Sequence, residues 1–295
     1  MTGQPLVIAS KLDKYYGKNH VLKSLDIDLM PGETMGLLGH NGAGKTTFMK
    51  IILGVAEKTS GHIQVLGGAP GENKNQIGYV PENVQFYPAL TGLETLVYFA
   101  KLKKLKQPKE QALRLLESLG LGVAKDRPVQ TYSKGMNQKL GLAQALLGAP
   151  KLLILDEPTV GLDPIATEQF YQSLKQLKSG GTSIILCTHV LAGLESLLDQ
   201  VLILNQGQIL AQGNINELRQ QAQLPTQILP AGLNASLSQD PELAPYLNQD
   251  GYLMVPESEN NRVINLLLDK PGLINLQVDQ PGLPALYRYF QQAKS

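Results

Sequence analysis

Gly39-His40-Asn41-Gly42-Ala43-Gly44-Lys45-Thr46-Thr47 is the stretch on which the reading of this chain turns. It fits the pattern G-x-x-x-x-G-K-[ST], a loop that wraps phosphate groups. The apolar run Met35 to Leu38 leads into it as a strand, and Phe48 to Leu53 leads out of it as a helix. Strand, glycine loop and helix N-terminus are the context in which this pattern binds an anion. Its glycines let backbone N–H groups turn inward, and the helix start adds partial positive charge. Lys45 is placed to reach the outer phosphates of a nucleotide, and Thr46 to hold Mg²⁺.

Downstream, Leu152-Leu153-Ile154-Leu155 is a continuous apolar run closed by Asp156-Glu157. It reads as a parallel strand buried on both faces, its acids at the carboxyl end, where ligands of such sheets sit. Asp156 is placed to bind Mg²⁺ through water. Glu157 is placed to orient an attacking water or to accept its proton. Ile77 to Val80 is a further apolar strand, ending at Pro81-Glu82. Ser183 to Cys187 is another, and it delivers Thr188-His189. His189 there is either a sensor of the terminal phosphate or a structural histidine with satisfied partners. Thr131 to Gln138 precedes a helix with Ser133 as N-cap; it is an ordinary cap or a second phosphate-facing helix start, and spacing alone does not decide.

The remaining segments organise around these. Leu6–Ala9 reads as a short strand, Lys14-Tyr15-Tyr16-Gly17 as a turn, and Leu25 to Leu29 alternates apolar and acidic residues as a half-buried strand does. With a strand at His62–Leu66 these make a small antiparallel layer. Residues 83–145 read as a helical insert, opened by the capping box Thr91-Gly92-Leu93-Glu94. Inside it, Lys101 to Lys109 carries five lysines. They form a solvated helix end or a contact with headgroups or a partner. Asn83–Leu90 exposes Phe86, Tyr87 and Leu90, which either line a docking groove or anchor the insert's own core. From residue 223 the composition shifts to many Pro, Asn and Gln, with apolar runs enough for a small α+β domain over 223–295.

Bulk numbers bound the function. The 295 residues suit one large domain and a small one. A net charge of +1 gives no general basic field for nucleic acid. The single cysteine, Cys187, excludes an internal disulfide and reads as core within its apolar strand. The opening residues lack a signal-peptide pattern, and no apolar run approaches the ~20 residues that span a bilayer. The expectation is a cytoplasmic protein, held at a membrane only through a partner.

Taken together, residues 1 to about 220 resemble the ATP-binding-cassette ATPases. The expected fold class is α/β: a phosphate-loop ATPase with an antiparallel β layer and helical insert over 1–222, plus the accessory domain 223–295. The resemblance implies ATP and Mg²⁺ as cofactors. Gly39 to Thr47 matches the family's phosphate loop, and Leu152 to Glu157 its magnesium strand with the catalytic glutamate. Tyr132-Ser133-Lys134-Gly135-Met136 stands at the family's Leu-Ser-Gly-Gly-Gln signature, keeping Ser133 and Gly135 but carrying Lys134 for a glycine and Met136 for a glutamine. Val160 to Asp163 looks like the dimer-facing loop, His189 like the switch histidine, and Tyr16 like the residue stacking on adenine. Glu82 stands where most members have a glutamine that touches Mg²⁺. The family implies a head-to-tail dimer in which ATP lies between the phosphate loop of one copy and the Ser133 helix of the other. One set of motifs per chain then makes a second copy the simplest partner.

Two function classes follow: the ATPase of a membrane transporter whose permease is a separate chain, or a soluble cassette acting on ribosomes or DNA. The absence of a basic footprint favours the transporter. Within the family, Gly39-His40-Asn41, Pro81 to Pro88 and Asp156 to Thr167 are similar to the ATPases that drive maturation of the copper site of nitrous oxide reductase. That implies a NosY-type membrane dimer and a periplasmic NosD-type partner in a denitrifying bacterium. An exporter of lipid, polysaccharide or drug is the alternative.

Overall fold

The computed structural model describes residues 4–191, 193–233 and 237–293. The chain divides into two compact units, Met1–Gln212 and Gly213–Ser295. This division falls ahead of the helix that the sequence boundary at Ala222 assigns to the first domain.

In the first unit, β1 (Val7–Tyr16), β2 (Asn19–Leu29) and β4 (Ser60–Val65) form an antiparallel sheet in the order β2-β1-β4. The strand β1 runs on through Lys14-Tyr15-Tyr16, which the sequence reading gave to a turn. The reason is a bulge: Lys11 takes φ 46° and the register slips on both partners. Such a bulge breaks the period-two pattern by which a strand is recognised. Gly61 opposite is obligatory, because a Cβ there would lie 2.0 Å from the Lys11 carbonyl oxygen.

Behind this layer stands a six-stranded sheet. It comprises β3 (Thr34–Leu38), β5 (Ile77–Val80), β6 (Leu152–Asp156), β7 (Ser183–Thr188), β8 (Gln200–Asn205) and β9 (Gln208–Gly213), in the order β5-β6-β7-β3-β8-β9. The strands from β5 to β8 pair in parallel. As a buried parallel sheet demands, β3 and β7 are buried at every residue. Helix α1 (Lys45–Ile52) packs into the same core. Its Phe48, Met49, Ile51 and Ile52 join one cluster with Val7, Leu12 and Leu25 of the antiparallel layer and Leu37, Ile154 and Cys187 of the parallel sheet.

The insert holds α2 (Gly92–Leu102), α3 (Pro108–Ser118) and α4 (Lys134–Leu146), packed on one another. Helix α2 begins with the expected capping box: Glu94 N–H donates to Thr91 Oγ1 at 3.2 Å, and Thr91 N–H to Glu94 Oε2 at 2.9 Å. Helix α5 (Pro164–Ser179) connects β6 to β7.

The second unit has α6 (Ile215–Ala222), β10 (Thr226–Ala231), β11 (Leu253–Val255), α7 (Asn260–Leu268), β12 (Asn275–Asp279) and α8 (Leu283–Gln292). Its sheet is antiparallel, in the order β11-β10-β12, over a core that includes Ile228, Leu253, Val263 and Leu267. The aromatic helix α8 buries Leu283, Leu286 and Phe290 and packs on α6, which is why α6 belongs to this unit.

Candidate functional site

The site grows from the end of β3. Leu38 is the last strand residue, and the chain turns at once because Gly39 has no side chain: a Cβ would meet the Leu204 carbonyl oxygen at 2.6 Å. Gly44 closes the loop at φ 111° and opens α1 with no side-chain cap. Its left-handed backbone suits glycine alone, and it aims the first helical N–H groups at the loop's concave side. Around this loop lies a cleft of about 730 Å³ lined by Asn41, Gly42, Ala43, Gly44, Lys45, Thr46 and Thr47, together with Glu82, Asp156 and Glu157. Three separate strand ends, of β3, β5 and β6, thus deliver the residues that sequence alone singled out.

Lys45 is buried, and its ammonium donates to the Gly39 carbonyl and, at 3.4 Å, to that of His40. It also lies 3.6 Å from Glu157 Oε1. Glu157 leaves the sheet in left-handed backbone, φ 48°, while its N–H donates to the Cys187 carbonyl at 2.8 Å. This turn swings its side chain away from the strand's alternation and into the cleft. His189 brackets the carboxylate: its N–H donates to Oε2 at 3.1 Å and its ring Nδ1 stands 3.0 Å from Oε1. Neither Lys45 nor the His189 ring meets Oε1 in hydrogen-bond geometry, so this buried oxygen keeps an open acceptor position. An acceptor held in place between the Lys45 ammonium and the His189 ring and still open is what ordering a water molecule requires.

Asp156 is half-buried, and its pKa is pushed up to about 6, chiefly by burial and further by Glu157 and Glu82, with Lys45 opposing. Tyr79, half-buried beside that carboxylate, is pushed up to about 12. Three acids crowd one mouth with one lysine to offset them, an arrangement that a divalent cation relieves. Among the described residues no three His, Cys, Asp or Glu converge as a complete metal cage. Mg²⁺ takes one or two protein oxygens and fills its shell with phosphate and water. Thr46, Asp156 and Glu82 are the residues that would hold it.

Ser133, Gly135 and Asp163 do not line this cleft. They gather elsewhere, at the adjoining starts of α4 and α5. Ser133 Oγ accepts from Met136 N–H at 3.2 Å, and Asp163 Oδ1 from Ala166 N–H at 2.8 Å. Gly135 lies against Ala166, where a Cβ would come to 3.4 Å. Lys134, one of the two residues that depart from the family signature, reaches over Gly161, whose Cβ would fall 2.3 Å from its ammonium. Tyr16 is also outside the cleft wall; it is exposed, with the Lys14 ammonium 4.7 Å above its ring. His20 lines the cleft instead, stacked on Tyr15 at 3.9 Å and bonded through Nε2 to Asp13 at 2.7 Å. Asn19, Lys23 and Gln206 line it too. The reading of the chain missed these four, and the cross-strand pair Tyr15–His20 was hidden by the assignment of Tyr15 to a turn.

Comparison with known proteins supplies the family. A model described as "ABC transporter" matches residues 22–160. An uncharacterized ABC transporter ATP-binding protein of Bacillus subtilis, YdbJ, is 42% identical over 214 residues, 71% of this chain and 69% of that protein. The chain belongs to the ATP-binding-cassette transporter family. As a member it uses ATP with Mg²⁺ and is an ATPase. The same bacterium's linearmycin resistance ATP-binding protein LnrL is 37% identical over 216 residues, 71% of this chain and 70% of that one. The bacitracin transport ATP-binding protein BcrA of Enterococcus faecalis is 37% identical over 218 residues, covering 72% and 70%. A solved ATP binding subunit of an ABC transporter superposes with TM-score 0.66 at 32% identity, over 73% of this cassette chain and 92% of its own. No described helix of the cassette is long and apolar enough to cross a membrane.

Proposed function

We propose that this chain is the ATP-hydrolysing motor of a transporter whose permease is a separate protein, and that two copies close head to tail on ATP. The observation that carries the reading is the separation of two half-sites. Lys45, Thr46, Asp156 and Glu157 share one cleft, while Ser133, Gly135 and Asp163 form a second cluster outside it. A second copy supplies the missing half of each site. Ile165, 70% exposed beside Asp163, is apolar surface suited to the join. Cysteines placed beside Ser133 and beside Gly42 should cross-link between copies of Glu157→Gln protein only when ATP is added. Cross-linking indifferent to ATP excludes this geometry.

Docking to the permease falls to Asn83–Leu90. Phe86 and Phe99 meet edge to face at 6.1 Å and Tyr87 and Tyr98 at 6.2 Å, so the aromatics partly anchor the insert, yet Tyr87 stays 62% exposed. Phe86→Ala with Tyr87→Ala should lower the yield of the assembled complex while moving the isolated chain's melting temperature little. A large melting shift with assembly intact would assign both rings to the insert core.

The second unit is accessory and takes no part in the chemistry, since every residue assigned to phosphate, magnesium or switching precedes Gly213. A chain ending at Gln212 should still bind ATP; loss of binding in a folded truncation would place the tail in the nucleotide site.

For the cargo, the finer reading is maturation of the copper site of nitrous oxide reductase, with this chain in the place of NosF, on the inner face of the membrane beside a NosY-like permease and a periplasmic NosD-like protein. The likeness of Pro81 to Pro88, of Asp156 to Thr167 and of the closing Leu286-Tyr287-Arg288-Tyr289 supports it. In that role the chain delivers force, and its four histidines, scattered as His20, His40, His62 and His189, hold no cargo metal. The second reading, an exporter of antimicrobial compounds, is favoured by the likeness to the linearmycin and bacitracin proteins. Identifying the membrane and periplasmic proteins that co-purify separates the two.

A further inference from the structure

A patch on the insert matches neither the nucleotide cleft nor the copy-to-copy cluster. Helix α2 ends in Tyr98, Lys101 and Leu102, all on its outer side, with Tyr98 43% and Leu102 61% exposed. The chain then turns through Lys104 at φ 54°, and Lys104, Lys106 and Lys109 are exposed as well. Lys103 is the exception. It folds inward, its ammonium donates to the Leu147 carbonyl at 3.0 Å, and burial lowers its pKa. The insert's structure therefore occupies one lysine and leaves four free of acids: no Asp or Glu occurs from Lys101 to Lys109. The nearest acids along the chain are engaged, Glu94 in the Thr91 cap and Glu110 with Arg114. In a chain of 26 cations and 25 anions this is a marked local excess.

We propose that this surface touches the anionic headgroups of the bilayer directly. Exposed lysines around a tyrosine and a leucine are the composition of an interfacial contact: the rings and aliphatic chain settle at headgroup depth, and the ammonium groups meet lipid phosphates. Charge selects this occupant over a neutral or cationic surface. Position supports it too. Tyr98 stands edge to face with Tyr87, so the patch continues the surface that docks the permease. The inference rests on the proposed docking for that direction alone. It makes the motor a membrane-binding protein in its own right.

The test is flotation of the purified full-length chain with vesicles of phosphatidylglycerol and phosphatidylcholine in equal parts, against vesicles of phosphatidylcholine alone, at low and at molar salt. ATP hydrolysis is measured on the same preparations. Binding should require the anionic lipid and vanish at high salt. Lys101→Glu with Lys104→Glu and Lys106→Glu should lower the partition coefficient about a hundredfold or more, from the contribution of each lysine near an anionic surface, and leave ATP turnover unchanged. Tyr98→Ala with Leu102→Ala should weaken binding without altering its salt dependence. Flotation that ignores lipid charge, or survives the triple reversal, overturns the proposal. So does a wild-type chain that never floats while the reversal lowers the yield of permease complex, which would give the patch to a protein partner. A wild-type chain that floats but hydrolyses no ATP would defeat the motor reading and leave this one standing.

Discussion

Glu157→Gln should leave ATP binding intact and cut steady-state turnover by about 10²–10⁴-fold, the usual contribution of a positioned general base. The geometry explains the split. Oε1 is buried, flanked by Lys45 and the His189 ring, and open to one more donor. An amide in its place keeps the shape and loses the charge that takes or orients a proton. Binding is spared because the carboxylate opposes phosphate, and its removal frees the Lys45 ammonium now 3.6 Å away. Turnover and nucleotide affinity measured on one preparation decide the matter. A variant with full turnover would remove Glu157 from the chemistry.

The second large effect belongs to Lys45→Ala. Its ammonium is buried at the base of the loop, where a phosphate would replace carbonyl partners with charge-assisted bonds worth about 1.5–3 kcal/mol. Affinity for ATP should fall roughly ten- to a hundredfold, as that energy converts. The same change strips a buried carboxylate of a neighbouring cation, so the nucleotide-free protein should also melt lower. Combining Lys45→Ala with Glu157→Gln separates these. The double variant should regain much of the melting temperature and none of the affinity. If affinity returned with stability, the lysine would act on the fold and not on the phosphates.

What the chain disclosed in advance depended on how local the determinant was. The phosphate loop and the acids of Asp156-Glu157 were legible because a strand, a glycine turn and a helix start are written in adjacent residues. So was the capping box at Thr91, whose partners lie three residues apart. The course of β1 was not, because the bulge at Lys11 is set by Gly61 on another strand. The wall formed by His20 was missed for the same cause: its stacking partner Tyr15 and its carboxylate Asp13 face it only across the hairpin. The helix α6 opens on a capping box of Asn214 and Glu217, a local determinant, yet its membership follows from α8, far along the chain. Ser133, Gly135 and Asp163 were named residue by residue, and the family resemblance already implied that a second copy faces them; the fold adds that they lie outside the Lys45 cleft of their own chain.

Cys187 carries a practical consequence. The thiol is wholly buried in β7, its Sγ 3.1 Å from the Met49 thioether, and burial raises its pKa well above the ordinary range. Thiolate is the reacting form of cysteine, so maleimides and disulfide reagents have nothing to label in the folded protein. The natural sequence thus serves as its own blank for any probe, spin label or tether attached at an introduced surface cysteine. Conversely, the appearance of a reactive thiol in an unmodified sample would report opening of the nucleotide-binding core, giving an unfolding clock that needs no added dye.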